Sequence, residues 1–500
     1  MPDFIYTLPL FFVGVGAVSL MLISTFKSID IKRGAIFTLI FLVMALIANI
    51  YNLTSASEAY SVYPFIDIFN KMIVVDTFSG YFSAILLLGG ILTILIGLHY
   101  FQKHKEFTVE FFSIFLFSVF GMMLLVHANE LITAFIALEI ASISIYIMIG
   151  FEKVKNKRIE ASYRYLVLGS LAGTFFLLGA SFIYAATQTT VIGEIGNMAL
   201  NTVDSNMPLL IIGATMILIT FLFKIAAFPF QNWAIDVYDG AALPVTAFMA
   251  ATFKAAVFGF ILRLVIVDFD LIRDFWDDVL VVIILLTLAY GSFLAIIQKS
   301  LKRMLVASSI VHTGYLLIAL VSISAIGESA ASSIIFYLVA YFLSALGAFG
   351  LIAYISSEDH LRITYNDFRG FAKIRPYMAA MLSIFMLSLA GIPSTIGFIG
   401  KFYIFTGAIE SEHALLAIAG ITATFISVYY YFKLIAVMYF YRSAEMTDVP
   451  PLKGVAPLVI GVIALTVIWG GVGNTFVAFF PGVDFLIDMA RLSYESLFAW

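Results

Sequence analysis

Three lysines stand inside apolar runs long enough to cross a membrane: Lys224 in FKIAAFPFQNW, Lys254 in AATFKAAVF and Lys401 in AGIPSTIGFIGK. An ammonium group at mid-bilayer costs roughly 2.5 to 3.5 kcal/mol on insertion scales, so several in one chain point to a shared polar interior. A partly desolvated lysine can gain and lose a proton, which makes proton transfer the chemistry these positions could perform. The competing reading is a structural cation neutralised by a fixed carboxylate. Pro229 follows Lys224, and Pro393 with three glycines precedes Lys401. Each proline removes a helical hydrogen bond and frees a carbonyl, tolerable at membrane depth only beside protein or water. Lys433 is a fourth lysine within an apolar run, and Glu139, in HANELITAFIALEIASISIYIMIG, is the matching buried carboxylate. Its burial calls for a partner, which Arg164 or a base on a neighbouring helix could supply. His312, in MLVASSIVHTGYLLIAL, suits a relay or gate, or equally a hydrogen-bonded core histidine. Haem would need a facing histidine, and His127 is a poor match in depth. Arg263 and Arg164 lie near the ends of their runs, where a long side chain can snorkel. Asp236 and Asp239 fall in a polar turn, with Asp236 a secondary candidate for proton transfer; no metal-binding or cofactor-binding motif is visible.

Positioning such groups requires membrane helices. The 500 residues are 62% hydrophobic and 12% charged, with mean hydropathy +1.06, which excludes an ordinary soluble globule. About 14 helical spans are expected, near residues 4–26, 34–53, 78–98, 107–127, 129–151, 161–187, 208–228, 241–267, 279–298, 303–322, 331–355, 378–409, 414–441 and 455–480. If they alternate, one set of loops carries 18 basic residues and the other only Lys71, Arg273 and Arg491. That asymmetry places both termini on the non-cytoplasmic side. The N-terminus lacks the basic region and cleavage site of a signal peptide, so the first span is read as retained. The absence of cysteine excludes disulfides and a cysteine-held iron–sulfur cluster, and a net charge of −4 leaves no footprint for nucleic acid.

Lys224 and Lys401 are 177 residues apart, Lys254 and Lys433 179. A displacement of five spans reverses direction, so residues 107–267 and 279–441 are expected to be two inverted five-helix repeats with broken spans 7 and 12. Three N-terminal helices (4–98) precede them and one C-terminal helix (455–480) follows, all within one membrane domain, residues 1–500.

These segments together resemble a known family. FKIAAFPFQNWAIDVYDGAALPVTAFMAATFKAAVFGFILR, MLVASSIVHTGYLLIAL and LAGIPSTIGFIGKFYIF resemble the N-subunit family of respiratory complex I, the proton-translocating NADH-quinone oxidoreductase, over roughly residues 105–440. The resemblance implies an antiporter-like, redox-inert subunit that translocates protons in response to quinone reduction elsewhere in the complex. It implies that Glu139, Lys224, Lys254 and Lys401 occupy the family's functional positions, with His312 near the proton route. Arg164 stands where the family usually has lysine, and arginine stays protonated, so it can bias Glu139 electrostatically but not pass a proton. No cofactor is then expected in this chain; quinone, flavin and iron–sulfur clusters would belong to partner subunits of a hetero-oligomer in the bacterial inner membrane, with lipids around it. Two alternatives remain: a subunit of a multi-subunit sodium/proton antiporter, and an enzyme that itself binds quinone or haem, against which the missing metal ligands argue.

Overall fold

A computed structural model describes residues 2–26, 29–59, 66–104, 106–152, 156–200, 206–269, 274–356, 363–442, 454–472 and 483–498. Three helices open the chain: α1 (Leu8–Phe26), α2 (Ile31–Ala59) and α3 (Thr77–Lys103), with a hairpin of β1 (Ile66–Ile68) and β2 (Ile73–Val75) before α3. Then come α4 (Val109–His127), α5 (Leu131–Ile149), α6 (Asn156–Thr187), a short α7 (Glu194–Leu200) and α8 (Met207–Lys224). A second short helix, α9 (Asn232–Gly240), leads into α10 (Leu243–Phe248), which runs through a π-helical turn, Met249–Phe253, into α11 (Lys254–Val267). The second half holds α12 (Asp274–Ile297), α13 (Leu301–Ile326), α14 (Glu328–Ile355), a one-turn α15 (Phe371–Ile374), α16 (Pro376–Ala390), α17 (Ile396–Glu410) and α18 (Ala414–Phe440). The chain closes with α19 (Val455–Val472) and α20 (Val483–Glu495).

Thirteen helices among the described residues are long and apolar enough to cross a membrane. The expected fourteenth, span 12, is divided into α16 and α17 by a break at residues 391–395. The hairpin, α7 and α20 were not expected. Residues 473–480 of the last span, and the loop cations Lys27, Lys105, Lys153, Lys155, Arg273, Arg362 and Lys453, lie outside the described residues.

Helices α13 and α14 form the centre. The apolar windows of these two are 100% and 94% buried, against 39% for α6, α12 and α18. Small residues let neighbours close on them: a Cβ on Gly121 would meet the Ala141 backbone at 2.5 Å, so α4 and α5 cross with no room for a side chain.

Arg263 departs from the expected snorkelling. It is 0% exposed, and its guanidinium grips Asp76 with bonds of 2.8 and 3.0 Å. Asp76 is also the N-cap of α3, its carboxylate accepting from the Ser79 amide. Guanidinium geometry matches a carboxylate bidentately, so burial in a pair prevails over reaching for water. Removing one partner would strand a buried charge, at about 3 to 5 kcal/mol.

Candidate functional site

Helix α8 stops at Lys224 because Ala226 turns left-handed at φ 57° and Pro229 lacks an amide hydrogen. The freed carbonyls find new donors. Trp233 Nε1 donates to the Phe223 carbonyl at 3.1 Å while its ring stacks on Tyr165 at 4.4 Å, and the Thr313 hydroxyl sits 3.0 Å from the Ile225 carbonyl. The Lys224 side chain, buried, reaches α5 and donates to Ser142 Oγ at 2.8 Å and the Tyr146 hydroxyl at 3.2 Å.

Lys254 begins α11 directly after the π-helical turn, a distortion frequent at functional sites. Its ammonium donates to the Ser309 carbonyl at 2.8 Å and to Thr313 Oγ1 at 3.0 Å, with the Tyr341 ring 5.3 Å away. Thr313 therefore touches both the break behind Lys224 and Lys254 itself. Its neighbour His312 is held from both sides, Nδ1 2.6 Å from the Tyr337 hydroxyl and Nε2 3.2 Å from the Tyr431 hydroxyl. His127 bonds the Met123 carbonyl of its own helix through Nδ1 at 2.8 Å.

Lys401 lies on α17 and folds back onto the end of α16, donating to the carbonyls of Leu389 at 2.9 Å and Ala390 at 3.2 Å. Gly391 is required at that turn, with φ 79° and a hypothetical Cβ 2.8 Å from Lys401 Cδ. The ammonium faces the Tyr315 ring at 4.8 Å, and Tyr315 packs edge-on against His312, centroids 5.6 Å apart. Thus α13 carries Ser309, His312, Thr313 and Tyr315 on adjoining turns, and these connect Lys254 to the surroundings of Lys401.

The remaining candidates are placed differently. Glu139 is half-buried against α6, where a Cβ on Gly173 would lie 3.0 Å from its Oε1, and it has no ion-pair partner among the described residues. Arg164 does not pair with it. It is 52% exposed and bonds Glu160 at 2.6 Å and Asp236 at 3.1 Å. The reason is depth: Arg164 precedes Gly173 by nine residues, about 13.5 Å along α6. Glu139 instead shares a helix face with Ser142, three residues on, and Ser142 is the residue that receives Lys224. Asp236 also faces Arg303 at 3.8 Å, while Asp239, with its side chain 5% exposed, takes Lys157 at 2.7 Å and Arg303 at 3.2 Å. Lys433 rests over the Tyr365 ring at 4.6 Å and does not join the lysine line.

Ser142, Tyr146, Tyr315, Tyr337 and Tyr431 escaped the sequence reading. The available signal was the recurrence of hydroxyls around charged positions, as with Tyr315 three residues after His312. Outside the spans, Asp268 Oδ1 accepts from the amides of Gly193 and Gly196, each at 2.9 Å. Burial pushes its carboxyl up to about 7, against the pull of those two amides. Among the described residues one group of donors is close enough to share an ion: atoms of His104, Glu106 and Glu152 lie within 4.8 Å of one another, but Arg158 already pairs with Glu152.

A family profile for the membrane region of NADH:quinone oxidoreductase and Mrp antiporters matches residues 128–427. The chain is 40% identical to the NADH-quinone oxidoreductase subunit N of Trichlorobacter lovleyi over 380 residues, 76% of this chain and 77% of that one. Among solved structures, it is similar to a chain of respiratory complex I from Thermus thermophilus with bound aureothin, with TM-score 0.77, 27% identity and coverage of 93% and 96%. It also shares its fold with a chain of the Mrp complex from Dietzia sp., with TM-score 0.83, 17% identity and coverage of 99% and 97%.

Proposed function

The chain belongs to the NADH:quinone oxidoreductase/Mrp antiporter family, and from that premise we propose that it is a proton-translocating, antiporter-like N-type membrane subunit of respiratory complex I. The observation that carries this reading is the row of three buried lysines from Lys224 to Lys401, none in an ion pair among the described residues, that border α13: Thr313 bonds the carbonyl behind Lys224, Ser309 and Thr313 hold Lys254, and the Tyr315 ring beside His312 faces Lys401.

A proton enters from the cytoplasmic side near Lys224 and Lys254, moves laterally past His312 to Lys401, and leaves on the other side. Hydroxyls serve as steps because each can accept one proton while releasing another. Helix axes stand roughly 8 to 10 Å apart, so bridging water completes the gaps. The charge on Glu139, felt through the Ser142 face, biases how tightly Lys224 holds its proton. Moving one charge against 100 mV costs about 2.3 kcal/mol, which this chain draws from quinone reduction in partner subunits holding quinone, flavin and iron–sulfur clusters. The loop asymmetry supports the reading of both termini on the periplasmic side of a bacterial inner membrane, and the offsets between the lysines support the reading of two inverted repeats.

The alternative, a subunit of a sodium/proton antiporter, rests on the fold shared with the Mrp complex; 40% identity to a subunit N favours complex I. Copurification separates them: flavin and iron–sulfur partners support the first, antiporter subunits the second. The central test is Lys224→Ala, assayed for quinone reduction and proton uptake in vesicles. Proton uptake is expected to fall to a small fraction of the unmodified level; unchanged uptake removes Lys224 from the mechanism.

A further inference from the structure

Four lysines are buried among the described residues: Lys224, Lys254, Lys401 and Lys302. Lys302, the second residue of α13, falls between the expected spans 279–298 and 303–322, among the loop cations. Its burial has the same character as that of the other three. Its ammonium has no carboxylate within ion-pair distance among the described residues and donates to two main-chain carbonyls, Asp239 at 3.0 Å and Ala241 at 2.5 Å. Lys401 is held by two carbonyls in the same manner, at the end of α16 rather than α9. The nearby surface cations behave otherwise, since Lys157 and Arg303 both take the Asp239 carboxylate.

Lys302 also lines a cavity of about 110 Å³, together with Tyr100, Lys157, Arg158 and Asp239. Lys157 is 65% exposed, so the cavity meets the surface there, and Leu243, on its wall, begins the helix that leads to Lys254. Along α13, Ser309 follows Lys302 by seven residues, two turns or about 10.5 Å on the same face, and Ser309 binds Lys254.

We propose that Lys302 is a further proton-carrying lysine, the acceptor at the cytoplasmic mouth of the path to Lys254; this rests on the proton-translocating reading above. Two carbonyls satisfy two N–H groups of a neutral amine and leave its lone pair for an incoming proton. A hydronium in the cavity gives its proton to Nζ and becomes water. Lys302 then passes a proton through water toward Ser309 and Lys254 and returns to the amine. The charged groups around it among the described residues are Asp239, Lys157, Arg303, Arg158 and Glu152, with the Tyr100 hydroxyl; of these cations and Lys302, Lys302 alone is not in an ion pair.

Lys302→Arg in the assembled complex is the decisive variant, because arginine keeps charge and donors but does not release a proton. It is expected to assemble, to lose most proton uptake, and to lose the dependence of uptake on cytoplasmic pH. Wild-type uptake and pH profile in Lys302→Arg would reduce Lys302 to a charge clamp and overturn the proposal. Should that variant fail to assemble, Lys302→Gln retains two N–H donors for the same carbonyls, and normal uptake there overturns it equally. Because the chain has no cysteine, Ile363→Cys places a single thiol on the cavity wall. Reaction with a charged, membrane-impermeant thiol reagent from the cytoplasmic face is expected, and an inert thiol would rule out a hydrated mouth. An active Lys302→Arg beside an inactive Lys224→Ala would sink only this inference, whereas an active Lys224→Ala strikes the functional reading itself.

Discussion

The two helix breaks hold their lysines in opposite ways. At the first, the lysine precedes the break and its side chain crosses to another helix, where the Ser142 and Tyr146 hydroxyls receive it. At the second, the lysine follows the break and turns back onto main-chain carbonyls of the segment just ended. Hydroxyls rotate and can donate or accept, so the contacts at the first site can be rearranged. Carbonyls at a helix end are fixed dipoles that only accept, so the second site holds a constant bias. One lysine is held by groups that can turn and the other by groups that cannot.

Substitutions at each break can test that contrast. The largest effect is expected from Lys401→Met, which removes the group that the fixed carbonyls hold and should abolish proton uptake in vesicles; substantial residual uptake would make the second break dispensable. Next comes Gly391→Ala. A side chain in the left-handed region costs about 1 to 2 kcal/mol, and here the new methyl also meets Lys401, so both thermal stability and uptake should drop. At the first break, Ser142→Ala combined with Tyr146→Phe removes two neutral acceptors worth about 1 kcal/mol each. Uptake should fall several-fold without vanishing, and complete loss would show the first site to be as rigid as the second. The smallest effect lies outside both breaks, at Asp268. Its carboxyl rises from an ordinary 3.8 to about 7 in the fold, so the folded state holds the extra proton across that window. Stability should therefore decline as pH rises from about 4 to 7 and level off above. Asp268→Asn should flatten that slope in thermal unfolding of the solubilised complex.

The break positions, and the lysines beside them, could be read from the chain because proline and buried charge are rare and costly at membrane depth. Which helices are central could not. Lipid tails are as apolar as leucine, so α13, enclosed on all sides, and α18, largely exposed, look alike in composition. Pairings were harder still. Arg164 and Glu139 lie on adjacent helices, yet half a membrane of depth separates them, and proximity in sequence order gives no depth. Arg263 reached a carboxylate 187 residues away instead of the interface. Lys302 passed for a loop cation because two residues decide whether a helix end is wet or enclosed.

The helix carrying Lys254 is anchored at its far end by two devices, the Arg263 grip on the cap of α3 and the seating of Asp268 on the amides of Gly193 and Gly196. A rod pinned at one end can twist only where its winding has slack. The wide turn at Met249–Phe253 is that slack, and it sits directly against the lysine. Any swivel of the Lys254 ammonium between its partners would be absorbed there, leaving the distal anchorage undisturbed.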